Sequence, residues 1–68
     1  MYRGVIAKLS SRGFGFIHGE GNSSDIYFHA TDMAVANTFN SLEVGDKVEY
    51  GMQPDSERPR ACRVAVLP

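Results

Sequence analysis

Phe14 and Phe16 stand two residues apart in Gly13-Phe14-Gly15-Phe16-Ile17, and Tyr27 and His29 stand two apart in Asp25-Ile26-Tyr27-Phe28-His29. Two is the period of a strand, in which alternate side chains share a face. Laid on adjacent strands, the segments place Phe14, Phe16, Tyr27 and His29 together. Ile17, Ile26 and Phe28 then turn to the opposite face, toward a core. A short chain rarely keeps several rings in water on one sheet face without a use for them. The chemistry on offer is non-covalent: flat rings presented together are what unpaired nucleic-acid bases stack on.

Charge qualifies that expectation. The formal net charge is -1, so no bulk positive field draws in a polyanion, and tight non-specific duplex binding is disfavoured. Stacking on a single strand is not. Lys8 and Arg12 flank the ring-bearing stretch, while Arg58, Arg60 and Arg63 cluster near the other end, with Glu43, Asp46 and Glu49 between them. Lys8, Arg12 and Arg60 are candidate phosphate or base contacts. Arg58 and Arg63 read as ordinary surface charges. His18, at the end of its strand, is expected to face solvent near a bound strand, and His29 to stack on or contact a base.

Bond-making chemistry finds no support. His18, His29 and Cys62 do not have a metal-ligand spacing. No serine sits in a strand-to-helix elbow and there is no phosphate loop. The acids are scattered through turns and strand edges. No enzyme activity, cofactor, metal or small-molecule substrate is expected.

The elements that must position these residues are short. Residues 4–9 read as a first strand with Ile6 in the core; alternation puts Lys8 on the side of Ile6 unless the strand bulges. Residues 10–13 form a turn and residues 14–18 a second strand. Gly15, between two rings, costs stability in a strand, which points to close packing there: the sheet coils strongly or another group approaches. Residues 19–24 are turn formers and read as a hairpin loop. Residues 26–28 make a third strand ended by His29. Thr31 or Asp32 is suited to cap a helix of a turn or two within residues 31–36. A tight turn over residues 42–46 leads into residues 47–50, whose alternation sets Val48 and Tyr50 opposite Lys47 and Glu49. A polar loop spans residues 53–59, and residues 61–67 close the chain as a fifth strand. Five short strands with almost no helix predict an all-β fold, a small antiparallel barrel.

These residues resemble the cold-shock domain family. Gly13-Phe14-Gly15-Phe16-Ile17 resembles its first ribonucleoprotein motif, and Asp25-Ile26-Tyr27-Phe28-His29 is similar to its second, usually Val-Phe-Val-His-Phe. Gly4 with Ile6, Leu42-x-x-Gly45-x-x-Val48 and Pro59-x-Ala61-x-x-Val64 agree in order and spacing, so the resemblance covers nearly the whole chain. A similar ring motif occurs in RNA-recognition-motif domains, but those need two helices for which this chain has no room. The resemblance implies a five-stranded barrel of the oligonucleotide-binding (OB) type. It also implies binding of single-stranded RNA or DNA without hydrolysis, in an RNA-chaperone or gene-expression role. It places Phe14, Phe16, Tyr27 and His29 at base-stacking positions. It adds Phe39, in the long loop after the third strand, whose other reading is to pack that loop onto the barrel.

The departures from the family pattern bear on strength. Where the family has Lys-Trp-Phe-Asn, this chain has Ala7-Lys8-Leu9-Ser10, and Ala30 follows His29 in place of phenylalanine. Lys8 thus replaces an exposed ring, with phosphate attraction as partial compensation. Each base–ring stack is worth about 1–3 kcal/mol, against roughly 4–15 kcal/mol for association. Five stacking groups then predict micromolar affinity and a short footprint. The competing expectation is a protein–protein interaction module whose rings receive a protein segment.

Sixty-eight residues make a single domain over residues 1–68. Such a domain buries only about 60% of its unfolded surface, so the core is thin. One cysteine, Cys62, excludes an internal disulfide and reads as a small strand residue. With no apolar run long enough for a signal peptide or membrane span, a cytoplasmic monomer is expected. Met1 and a complete set of strands suggest a free protein.

Overall fold

The computed structural model describes residues 1–21, 25–53 and 60–68. Its strands are β1 (Tyr2–Ser10), β2 (Phe14–Gly19), β3 (Asp25–His29), β4 (Lys47–Met52) and β5 (Ala61–Val66). They form one five-stranded sheet in the order β3-β2-β1-β4-β5, with every pairing antiparallel. This is the OB-like arrangement that the resemblance implies. Closure differs from a continuous barrel wall. Among the described residues, the edge strands β3 and β5 approach through an isolated parallel bridge between Tyr27 and Arg60 rather than a ladder.

The alternation in β2 and β3 follows from which side chains water tolerates least. Ile17 and Phe28 are fully enclosed and Ile26 nearly so, while Phe14, Phe16 and Tyr27 are half-buried. Val48 and Tyr50 turn inward from β4 as their pattern requires, and Ile6, Leu42, Ala61 and Val64 complete the core. Burial of Tyr50, with Tyr2 and Glu20 nearby, pushes its phenol above the ordinary value. Gly15 shows the close approach its position implied. A Cβ there would lie 2.8 Å from the Lys8 carbonyl oxygen, 2.9 Å from Phe28 Cε1 and 3.0 Å from Leu9 Cδ2. The core ring of Phe28 seats itself where a side chain is missing.

Two bulges break strict alternation. In β1 the register shifts between Ile6, opposite Ile17, and Lys8, opposite Phe16. The extra residue turns Lys8 away from the core side that unbroken alternation assigns it. In β5, Glu49 faces Ala65 but Gly51 faces Cys62, so one more residue is accommodated on β5. Arg63 absorbs it with a left-handed φ of 51°. The bulge lets both Ala61 and Val64 point into the core.

The segment between β3 and β4 corrects the expected helix over residues 31–36. A three-residue 3-10 turn, Ala30–Asp32, stands there instead, and a second covers Phe39–Ser41. Neither Thr31 nor Asp32 is the cap. His29 is: its ring accepts from the Thr31 N–H, while Asp32 reaches back to the His29 N–H. Beyond this turn Met33 bridges to Val64, and the Ala34 N–H donates to the Val64 carbonyl at 2.9 Å. The chain is thereby committed to running along β5, which leaves no room for a longer helix. The turn before β4 is as expected, with Glu43 N–H donating to Asp46 Oδ2 at 2.9 Å. Residues 22–24 of the hairpin loop and 54–59 of the polar loop, Arg58 among them, lie outside the described residues.

Candidate functional site

The β2–β3 register builds the site. Phe14 lies opposite His29, Phe16 opposite Tyr27 and His18 opposite Asp25. Across the other edge of β2, Lys8 faces Phe16 and Ser10 faces Phe14. One outward surface therefore carries Phe14, Phe16 and His18 from β2, Tyr27 and His29 from β3, and Lys8 from β1. The three rings pack on one another. Phe14 and Tyr27 are tilted by 31° with centroids 5.9 Å apart. Phe16 meets Phe14 nearly edge-on at 6.1 Å and Tyr27 at 6.0 Å and 68°. Edge-to-face contact is favourable for aromatic quadrupoles and holds the cluster rigid. It also means that the surface offers ring edges as well as flat faces.

At the β3 end, the cap orders His29. Its Nδ1 accepts the Thr31 N–H at 3.2 Å, with the Thr31 hydroxyl at 3.1 Å. An acceptor role for Nδ1 in the neutral ring places the proton on Nε2. That atom stands toward Gly13, where a Cβ would lie 3.8 Å away. Gly13 itself adopts a φ of 92°, which glycine alone reaches without strain. Its carbonyl accepts the Ala30 N–H at 2.8 Å, tying the turn before β2 to the turn after β3.

Arg60 comes to the same face from the approach to β5. Its guanidinium carbon stands 5.6 Å from the centroid of Tyr27, a cation–π arrangement. Its Nε donates to Asp32 Oδ2 at 3.0 Å. That oxygen also accepts the His29 N–H at 2.9 Å, while Asp32 Oδ1 accepts from Gln53 Nε2 at 3.0 Å. Asp32 is the buried charged residue of the described chain, at 9% exposure. Its three hydrogen bonds and a cationic partner offset the cost of taking a carboxylate out of water.

The remaining expected contacts fall into two groups. Lys8 is exposed beside Phe16, and His18 is exposed in line with the rings, its Nδ1 3.2 Å from Asp25 Oδ1. Arg12 is exposed in the turn before β2, where its N–H bonds Ser10 Oγ at 3.2 Å, and among the described residues no side-chain hydrogen bond brings it onto the ring face. Phe39 stands apart from the ring cluster. Its ring centroid is 5.9 Å from that of the core residue Phe28, so it packs its loop against the interior. It also borders an open groove of about 620 Å³ lined in part by Gly13, Ala30, Thr31 and Met33. That groove starts at the His29 end of the ring face, beside the small Ala30. Asp32 and Gln53 were not among the expected site residues. Asp32 lies 28 positions from Arg60 and 21 from Gln53, and no local pattern signals that meeting. Among the described residues, no group of three or more His, Cys, Asp or Glu side chains is placed to hold a metal ion.

Comparison with known proteins agrees with this geometry. The family model described as the "Cold-shock" DNA-binding domain matches residues 2–67. A cold shock-like protein of Aquifex aeolicus is 37% identical over 67 residues, which span 97% of this chain and 94% of that protein. The cold shock-like protein CspE of Escherichia coli is 35% identical over 57 residues, 84% of this chain and 81% of that one. Among solved structures, a chain described as drosophila Unr CSD456 superposes with a TM-score of 0.81 at 30% identity. The match covers 98% of this chain and 26% of that longer one.

Proposed function

This chain belongs to the cold-shock domain family, and from that premise we propose that it binds single-stranded RNA or DNA on the Phe14, Phe16, Tyr27 and His29 face. As a member of a family of binding modules it is not an enzyme. The observation that carries the proposal is the β2–β3 register, which pairs Phe14 with His29 and Phe16 with Tyr27. Bases stack on these groups, each worth about 1–3 kcal/mol, and phosphates meet Lys8 and Arg60 at the margins. His18 and Arg12 lie farther along the path of a strand, and Phe39 serves a base that enters the groove beside Ala30. We read the sheet as the wall of a small barrel closed at the Tyr27–Arg60 bridge. Its working form is a cytoplasmic monomer acting as an RNA chaperone or regulator of gene expression.

Titration with oligothymidine and oligouridine of about seven nucleotides, within the usual footprint of such folds, tests the reading. Tyrosine fluorescence and amide chemical shifts are the readouts. Changes concentrated on Phe14, Phe16, Tyr27 and His29 support it. Silence up to millimolar ligand overturns it in favour of a protein segment lying on the same rings, a reading favoured by the net charge of -1. Matched RNA and DNA hexamers then decide which sugar is preferred.

A further inference from the structure

We infer that Asp32 is a positioning residue of the ring face: its buried carboxylate fixes the Arg60 guanidinium against Tyr27, making Arg60 a preset phosphate contact. The inference rests on the nucleic-acid reading above and deepens it. Asp32 performs more than a turn requires. A cap is satisfied by one short polar side chain, yet here a carboxylate that is only 9% exposed joins three elements. Oδ2 binds the His29 N–H at 2.9 Å and Arg60 Nε at 3.0 Å, and Oδ1 binds Gln53 Nε2 at 3.0 Å. The end of β3, the exit of β4 and the entry to β5 converge on one side chain.

Binding through Nε orients a guanidinium. Asp32 takes the Nε donor, which leaves the Nη donors of the fork for another acceptor. Among the described residues no second acceptor is bonded to that guanidinium. The side chain keeps 37% exposure while its carbon stands 5.6 Å from the Tyr27 centroid. An unheld arginine must give up rotamer freedom when it binds, whereas one already tethered loses less. The forked Nη edge suits two oxygens of one phosphate. A base on the rings carries its backbone phosphate to the margin where Arg60 waits.

The sign of one substitution separates positioning from simple charge. Asp32 is an anion beside a site for polyanions, so as a mere local charge its removal tightens binding. As a positioning residue its removal weakens binding. The experiment uses the full chain and an oligothymidine of about seven nucleotides, comparing unsubstituted protein, Asp32→Asn, Arg60→Ala and the double variant. Each single variant is expected to bind about tenfold more weakly, the scale of a lost charge-assisted hydrogen bond. The double variant is expected to bind no more weakly than Arg60→Ala, because the two residues act as one unit. Arg60→Ala is expected to flatten the slope of log K against log salt by about 0.7, one phosphate fewer on a single strand, whereas Asp32→Asn keeps the cation and leaves the slope unchanged.

Equal or tighter binding by Asp32→Asn overturns the inference. So does an undiminished effect of Asp32→Asn in the Arg60→Ala background, which reduces Asp32 to a support of the fold. If Asp32→Asn does not fold, Arg60→Lys decides, since it keeps the charge and loses the Nε tether. Weakened binding with an unchanged salt slope supports positioning, and full affinity refutes it. Silence of the unsubstituted chain overturns the nucleic-acid reading and this inference with it, whereas binding that ignores Asp32 overturns only the inference.

Discussion

Phe16 stands on the outward face between Lys8 of β1 and Tyr27 of β3. It packs against both Phe14 and Tyr27 and lies opposite Lys8. Phe16→Ala is therefore expected to cost oligothymidine binding about 1–3 kcal/mol, the worth of one base stack, while Phe16→Tyr keeps most of the affinity. Fluorescence titration of the two variants distinguishes stacking from a role in folding alone; equal affinity for Phe16→Ala and the parent chain sinks the ring-stacking account. The placement of this ring was legible because Ile17 and Ile26 have no tolerable alternative to the interior. Asp32 was not legible, because its partners Gln53 and Arg60 arrive from distant chain. Tyr50 makes a second residue-scale prediction. Its folded phenol titrates above the ordinary value of 10.0, through burial first and then Tyr2 and Glu20. A raised value favours the protonated form in the fold, so this contribution is whole below the unfolded value and is lost as pH rises through the folded one. Urea unfolding on either side of that range should show a drop in stability on the alkaline side that shrinks in Tyr50→Phe. An identical drop in both proteins assigns the loss to other groups.

At the scale of elements, bulges decide what alternation alone does not. β1 is the strand where simple reading assigns Lys8 to the core side, and one extra residue between the Ile6 and Lys8 pairings sends it to the rings. Nothing in Ala7-Lys8-Leu9 announces the shift, since any small or flexible residue can occupy a bulge. The turn after β3 was hidden for a related reason: histidine is an unusual cap, and the bridge from Met33 to Val64 limits the helix from outside the segment. β5 carries the costlier device. Arg63 holds a φ of 51°, a conformation that costs a residue with a Cβ roughly 1–2 kcal/mol. Glycine avoids that cost and forfeits some of the gain through its looser unfolded chain. Arg63→Gly is thus expected to stabilise the fold by about 0.5–1 kcal/mol. For a domain of this size each kcal/mol moves Tm by about 4–8 °C, so thermal unfolding resolves the change. A lower Tm for Arg63→Gly shows that the arginine side chain, rather than its backbone, stabilises the bulge.

On the proposed single-strand reading, charge and rings divide the work of binding unevenly over the whole molecule. The net charge is -1, and among the described residues the cations beside the rings are Lys8 and Arg60, the latter already paired with Asp32, with Arg12 farther off in the turn before β2. Such a chain neutralises two or three phosphates at most. For single strands the slope of log K against log salt is about -0.7 per phosphate, which gives a slope near -1.5 to -2. Raising salt fourfold then weakens binding by only about tenfold. Stacking must supply the rest: four groups at about 1–3 kcal/mol each against an association cost of roughly 4–15 kcal/mol leave about 8 kcal/mol at most, which makes Kd micromolar at its tightest. Isothermal titration of an oligothymidine across a salt series measures both quantities on one sample. A shallow slope with micromolar Kd is the behaviour of a stacking platform with a thin cationic margin. A slope steeper than about -4, the mark of five or more phosphates neutralised, assigns the binding to a charged surface and removes the rings from the centre of the mechanism.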